Sequence, residues 1–292
     1  MPKHLFNDSL PEIIPAKNDR AFKKVLVDNE HLLAHLMKSV LDLPDEEYEG
    51  LTVACSEVLP DHGKGKLGTL DIKVYTKSKI VVDIEIERGS VANLPGRILF
   101  YVSALFKEQM LSGSEYESMR RVIGMIITER ALVPGDMEYH HRFTLYDLKT
   151  RTTLTDLIEV NTLELSKLPK TDDGSDLWGW LKFLTITRRY ELEKVAERGP
   201  VFKEAAAKLS EYSMDTEERR ILERRLMMEM EERWTIDDAR KEGMKKGIEK
   251  GMKKGMEKKT LEIARGLKEK GVDVNTIAET TGLTVDEILR LK

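Results

Sequence analysis

A single cysteine, Cys55, occurs in 292 residues, which excludes a disulfide within the chain and makes a thiolate metal cluster untenable. Cys55 reads as a core thiol rather than a nucleophile. No apolar run approaches the roughly 20 residues that a bilayer-spanning helix requires. The opening residues, MPKHLFNDSLPEIIP, lack the basic-then-apolar order of a secretory signal, so a soluble cytoplasmic protein is expected. An excess of positive charge is also missing. With 48 Lys and Arg against 52 Asp and Glu, the net charge of −4 provides no global attraction to nucleic acid, and any DNA-binding surface must be a local basic patch. The length suffices to bury a sizeable core, with one main domain and appendages.

What is present centres on Leu67–Glu87, LGTLDIKVYTKSKIVVDIEIE, which reads as two alternating strands around a tight Lys77-Ser78-Lys79 turn. Leu70, Ile72 and Val74 share one face of the first arm, and Asp71 and Lys73 the other. In the second arm Ile80, Val82, Ile84 and Ile86 oppose Asp83, Glu85 and Glu87. A register with Thr76 opposite Ile80 sets Asp71 across from Glu85 and Lys73 across from Asp83, with Cβ atoms about 5 Å apart. Facing carboxylates repel, and a hard cation such as Mg²⁺, which takes oxygen ligands and activates water, removes that cost. The competing reading is the solvated side of a half-buried antiparallel sheet.

Along the chain, 1–15 is an irregular lead-in, and Asp19–Leu41 carries a helical stripe broken near Asp28-Asn29, with Asp19 placed as an N-cap. His31 and His35 stand at i and i+4, without an acidic zinc-protease motif, and read as a satisfied helical pair. Leu51–Leu59 reads as a strand. The loop that follows brings Lys64 and Lys66 as candidates to graze a phosphate backbone, or serves only as a connection. Pro95–Leu111 reads as a helix with Ile98, Leu99, Val102, Leu105 and Phe106 inward; Arg97 in its first turn is a phosphate clamp or an ordinary surface arginine. Arg121–Thr128 is a buried strand. Phe143–Leu148 and Leu163–Leu168 read as further strands with a short helix at Thr155–Ile158 between them. Trp178 and Trp180 open an apolar core helix.

The chain resembles the recombination-promoting nuclease / putative transposase family of the PD-(D/E)XK nuclease superfamily. The resemblance rests on Asp19-Arg20-Ala21-Phe22-Lys23, Leu70-Asp71-Ile72 and Ile84-Glu85-Ile86-Glu87. It continues through Arg97 with Tyr101, then Gln109, Gly113 and Tyr116, and Leu154-Thr155-Asp156 through Leu165-Ser166-Lys167-Leu168. It implies an α/β fold: a PD-(D/E)XK nuclease-like core, an α-β-β-β-α-β mixed sheet flanked by helices, with a helical C-terminal extension. The expected divisions are 1–185 for this domain, 186–240 for a charged helical region, 241–260 for a Gly/Lys-rich helix or linker, and 261–292 for a small helix-turn-helix-like unit. By the same resemblance Asp71 and Glu85, with the carbonyl of Ile86, hold Mg²⁺ (or Mn²⁺), and Asp19 lies near the metal as an accessory acid. The superfamily's Lys position, often Gln in this family, is Glu87 here. A carboxylate there can orient water or bind a second ion but does not stabilise transition-state charge, and Lys73 is the candidate stand-in. The implied function is a metal-dependent DNA endonuclease that promotes recombination, transposition-like exchange or mobile-DNA defence. The alternative, kept open by Glu87, is an inactive nuclease fold acting as an oligomerising or DNA-binding module.

Residues 190–240 are helical and charged. Beyond them Gly243, Gly247, Gly251 and Gly255 recur every four residues, each followed by Met or Ile. Each glycine costs about 1 kcal/mol in a helix, so the repeat reads as a helical segment through which copies associate as a homo-oligomer, a dimer being the smallest, or as a flexible linker. Its eight lysines from 241 to 259, Lys245 and Lys246 among them, oppose three glutamates and form the best local patch for DNA. Thr276–Thr280, a turn at Gly282-Leu283 and Val285–Leu291 make a helix-turn-helix whose second helix offers Asp286, Glu287 and Arg290. Those side chains suit packing better than base reading.

Overall fold

The computed structural model describes residues 11–55, 70–110 and 115–291, with only the backbone at Cys55, Leu70 and Asp71. The chain divides into two compact units, Met1–Leu222 and Glu223–Lys292.

In the first unit, Asn18 caps α1 (Asp19–Phe22) by accepting from the Arg20 amide at 3.1 Å, so Asp19 is the first helical residue and not the cap expected from sequence. A π turn over Lys23–Val27 follows, and α2 (Glu30–Val40) begins after the break at Asp28-Asn29. The strands are β1 (Thr52–Cys55), β2 (Leu70–Tyr75), β3 (Val81–Glu87), β4 (Val122–Thr128), β5 (His140–Tyr146) and β6 (Thr153–Glu164). Among the described residues they form one sheet in the order β1-β2-β3-β4-β6-β5. The β1-β2 and β2-β3 pairs are antiparallel, β3-β4 and β4-β6 parallel, and β5 runs antiparallel to β6. The β2-β3 hairpin closes through Thr76, whose amide donates to Ile80 O at 3.0 Å, with Lys79 at φ 68°. Glu47 fixes the turn by accepting from the hydroxyls of Thr76 (2.5 Å) and Ser78 (2.9 Å).

Between β3 and β4 lies α3 (Leu94–Glu108), which covers one sheet face with Leu94, Ile98, Val102 and Leu105 against Val81, Val122, Ile126 and Val160. Leu99, expected inward, is 61% exposed, because it sits one residue, about 100° around the helix, from Ile98. The expected helix at 155–158 and strand at 163–168 are corrected to the single strand β6 and a short turn at Leu165–Lys167. Thr153, Thr155, Ile158, Val160 and Thr162 are β-branched, a composition that suits the pleat. Backbone pairing with β4 on one side and β5 on the other outweighs any local helical tendency.

The opposite sheet face is apolar, with Ile72, Ile84, Ile86, Met125 and Ile127 fully buried. The helices of this unit are completed by α4 (Asp176–Thr185), α5 (Arg189–Ala196), α6 (Pro200–Met214) and the first residues of α7 (Thr216–Glu269). Trp180 is fully buried, packs against Phe202 with ring centroids 4.9 Å apart and planes tilted by 44°, and donates its indole N–H to His35 Nδ1 at 2.9 Å. His31 pairs with Glu204 at 2.9 Å, so the two histidines are satisfied separately. A Cβ at Gly179 would stand 2.7 Å from Phe202 Cζ and 2.6 Å from Arg198 Nε. Gly179→Ala is therefore expected to lower stability by about 1–3 kcal/mol through overpacking, against the roughly 1 kcal/mol that alanine gains in an open helix. Urea unfolding checks this, and an unchanged or raised midpoint would contradict it.

In the second unit, Ala264 of α7 packs with Ile277 of α8 (Val274–Thr281) and Ile288 of α9 (Val285–Arg290), with Leu267, Val272, Leu283 and Leu291 around them. The two short helices and the turn at Gly282, in left-handed conformation at φ 73°, match the expected helix-turn-helix. Thr284 and Glu287 form a reciprocal capping box at the start of α9. Hydrogen bonds from the Thr284 hydroxyl, then its amide, hold the Glu287 carboxyl below its usual value of 4.5. A carboxyl depressed in the folded state stabilises above the unfolded value, and that contribution is lost as pH falls through the folded one. The Thr284 amide resonance should thus titrate with a midpoint below 4.5; a midpoint at or above 4.5 would remove the box from solution.

Candidate active site

The hairpin register is the one anticipated: Asp71 pairs with Glu85 and Lys73 with Asp83. Alternation then puts Asp71, Lys73, Asp83, Glu85 and Glu87 on the face that α3 covers. In the parallel neighbours, Gly124, Ile126 and Thr128 of β4 stand beside Asp83, Glu85 and Glu87, followed by Val160, Thr162 and Glu164 of β6. This face is apolar where β3, β4 and β6 begin and polar where they end, at the carboxyl edge where open α/β sheets place their ligands. The solvated-face reading requires exposed carboxylates. Instead every residue of Val81–Glu87 is buried, with Asp83 5%, Glu85 2% and Glu87 9% exposed. Three carboxylates withdrawn from water on one strand face carry a large desolvation and repulsion cost. Such concentrations mark functional sites.

Glu87 is held at both oxygens. The Gly89 amide donates to Oε1 at 2.9 Å, and Arg97 Nη1 donates to Oε2 at 2.6 Å. A Cβ at position 89 would lie 2.8 Å from Glu87 Oε1, so any larger residue there would displace this carboxylate. Burial alone would lower the Arg97 pKa, but its hydrogen bond to Glu87 and the charges of Glu87 and Glu85 outweigh that and raise it. The guanidinium is thus a fixed cation beside both glutamates. Sequence reasoning named Glu87 and Arg97 separately and did not pair them. The ten-residue gap between them spans a strand end and a helix start, so no local spacing rule joins them.

The other candidates are dispersed. Lys73 Nζ lies 3.4 Å from Glu108, at the far end of α3, rather than beside Glu87. Asp19 Oδ1 lies 3.4 Å from Arg88 Nη2, next in chain to the site strand. The Ile86 side chain is buried on the opposite face, which leaves its main-chain carbonyl as the group of interest. Lys64 and Lys66 lie outside the described residues. Lys245 and Lys246 are exposed on α7 in the second unit, Lys246 paired with Glu242 at 2.6 Å. Among the described residues no three His, Cys, Asp or Glu side chains converge as a ready-made metal cluster; the Asp71 carboxylate is not among those described.

A second polar cluster escaped the sequence reading. Glu164, fully buried on the α3-covered face, takes Lys167 Nζ at 3.0 Å and the Val133 amide at 3.1 Å. Asp136 bonds Lys167 at 2.7 Å and His141 at 3.1 Å. Those hydrogen bonds, Lys167 first, hold its carboxyl below the usual range. The Glu164-to-Lys167 spacing of three residues was the available signal, and a strand assigned across it concealed the turn.

The fold agrees with what comparison with protein families finds. Residues 16–239 match the family described as PD-(D/E)XK nuclease family transposase. Residues 257–292 match the C-terminal helix-turn-helix domain of the Rpn/YhgA-like nuclease family. The chain belongs to the PD-(D/E)XK nuclease family transposases. No curated protein and no solved structure matches it. Among the described residues no helix is long and apolar enough to cross a membrane.

Proposed function

We propose that this protein is a divalent-metal-dependent endonuclease that hydrolyses DNA phosphodiester bonds, with Asp71, Glu85 and the Ile86 carbonyl holding Mg²⁺ or Mn²⁺. The observation that carries this reading is Glu85, 2% exposed and directly opposite Asp71 in the strand register. An all-oxygen donor set of paired carboxylates and a carbonyl fits a hard cation and suits no soft one. When bound, such a cation supplies an activated water and a counter-charge for the phosphate.

The chain's own residues supply the rest. Glu87 holds Arg97 at the carboxyl edge of β3, where the guanidinium opposes the negative charge that builds on the phosphate, the task a lysine at position 87 would perform. The first turn of α3, which carries Arg97, lies beside Glu87, and a helix amino terminus favours an anion. Asp19 is an outer acid that steadies Arg88. DNA is engaged by Lys64, Lys66, Lys245 and Lys246; the match of the tail to a helix-turn-helix family adds that unit as a backbone contact rather than a base reader, and copies associate through exposed α7. In the cell this activity serves recombination, transposition-like exchange or defence against mobile DNA. Glu87 in place of Lys or Gln sustains one rival, a nuclease fold that binds DNA without cutting it.

The deciding experiment is nicking of supercoiled plasmid by the full chain in Mg²⁺, Mn²⁺ or EDTA, beside Asp71→Ala. Nicking that needs the metal and vanishes in Asp71→Ala is the expected result. No nicking in any metal, with DNA binding retained, would favour the rival.

A further inference from the structure

From 231 to 259 every residue of α7 is exposed, including Trp234 (50%), Met244 (68%), Ile248 (53%) and Met252 (60%). A helix exposed all round has no apolar face buried to support it, and this stretch also carries four glycines, each costing about 1 kcal/mol. At 100° per residue, Leu226, Met230, Trp234, Met244, Ile248 and Met252 fall on one side of the straight helix, along about 40 Å of its length. The same side is interrupted midway by Asp237 and Lys241, which flank Ala239 symmetrically.

We infer that α7 pairs with α7 of a second copy in antiparallel orientation, with the two-fold axis at Ala239. This deepens the self-association reading above and rests on it. About that axis, residue 237 of one chain meets residue 241 of the other, so Asp237 and Lys241, both on the seam side, form two reciprocal ion pairs at its centre, while Ala239 faces away from the partner. Outward from the centre, Trp234 meets Met244, Met230 meets Ile248, and Leu226 meets Met252, which continues the apolar seam on both sides. The charges follow the same symmetry. Residues 223–238 hold six acidic residues and three arginines, whereas 240–255 hold seven lysines and arginines and two glutamates. Antiparallel pairing sets net −3 against net +5; parallel pairing sets like charge on like along the whole length. An isologous contact of this kind closes as a dimer. Lys246, Lys250 and Lys253 point away from the seam and stay available to DNA phosphates.

The test uses two full-length variants, Trp234→Cys and Met244→Cys, mixed, mildly oxidised and digested, with linked peptides identified by mass spectrometry. Links from 234 to 244 are expected to exceed 234–234 and 244–244 links about tenfold. Symmetric links in excess would establish a parallel pair and overturn the proposal. A monomeric sedimentation mass with no links between chains would overturn the self-association reading as well. Charge reversal provides the second arm. Asp237→Lys or Lys241→Asp alone should weaken the dimer about tenfold, and the double reversal should restore it. A dimer of unchanged affinity in all these variants would place the interface elsewhere and overturn the proposal.

Discussion

Glu85→Gln is expected to reduce metal-dependent nicking by about 10³-fold, because a cation site is worth several kcal/mol of transition-state stabilisation and each factor of ten corresponds to about 1.4 kcal/mol. The same substitution should leave the fold intact and raise its thermal midpoint. Glu85 is 2% exposed on a strand face shared with Asp83 and Glu87 and opposite Asp71. A glutamine of the same shape removes one buried charge from that crowd of carboxylates and keeps the packing. Loss of activity with gain of stability is the signature of a residue kept for chemistry rather than for folding. Added Mg²⁺ should raise the midpoint of the natural protein, by preferential binding to the native state, and should not raise that of Glu85→Gln. A variant that nicks normally, or one whose fold collapses on losing this charge, would return Glu85 to a structural role.

The hairpin that carries this prediction was legible in sequence down to its register, because alternation and a three-residue turn leave few ways to pair Leu70–Tyr75 with Val81–Glu87. The break in the first helix and the paired helices of the C-terminal unit were legible for the same reason: caps, glycines and periodicity are local. β6 was not. Residues 155–158 read as a short helix despite their β-branched neighbours, and it is pairing with β4 on one side and β5 on the other that holds them in a strand of 12 residues. Burial of the carboxylates was likewise invisible. An Asp-Ile-Glu-Ile-Glu pattern is identical on a solvated sheet and on one covered by α3, and the helix that decides between them is read elsewhere in the chain. The Arg97–Glu87 pair follows the same logic. Each partner is visible alone, and the contact exists only once β3 and α3 are packed.

That pair gives the second large effect. Arg97→Ala is expected to lower nicking by about 10²–10³-fold, the usual cost of removing one preorganised group that meets transition-state charge. Glu87→Lys alone should also be impaired, since it restores the superfamily's lysine only by placing it where Arg97 now lies 2.6 Å from Glu87, one cation against another. The two defects should then compensate. In the double variant Glu87→Lys with Arg97→Ala, a lysine at position 87 stands in space the guanidinium has vacated, and nicking should recover well above that of Arg97→Ala. Such a cycle isolates the coupling between the two positions. It also separates the roles of Glu87. If Glu87 instead held a second ion or oriented water itself, losing it would hurt regardless of Arg97, and the double variant would be the slowest of the set. If Arg97→Ala nicked at the natural rate, the guanidinium would be only a counter-ion for Glu87, and the positive charge for the phosphate would have to come from another residue.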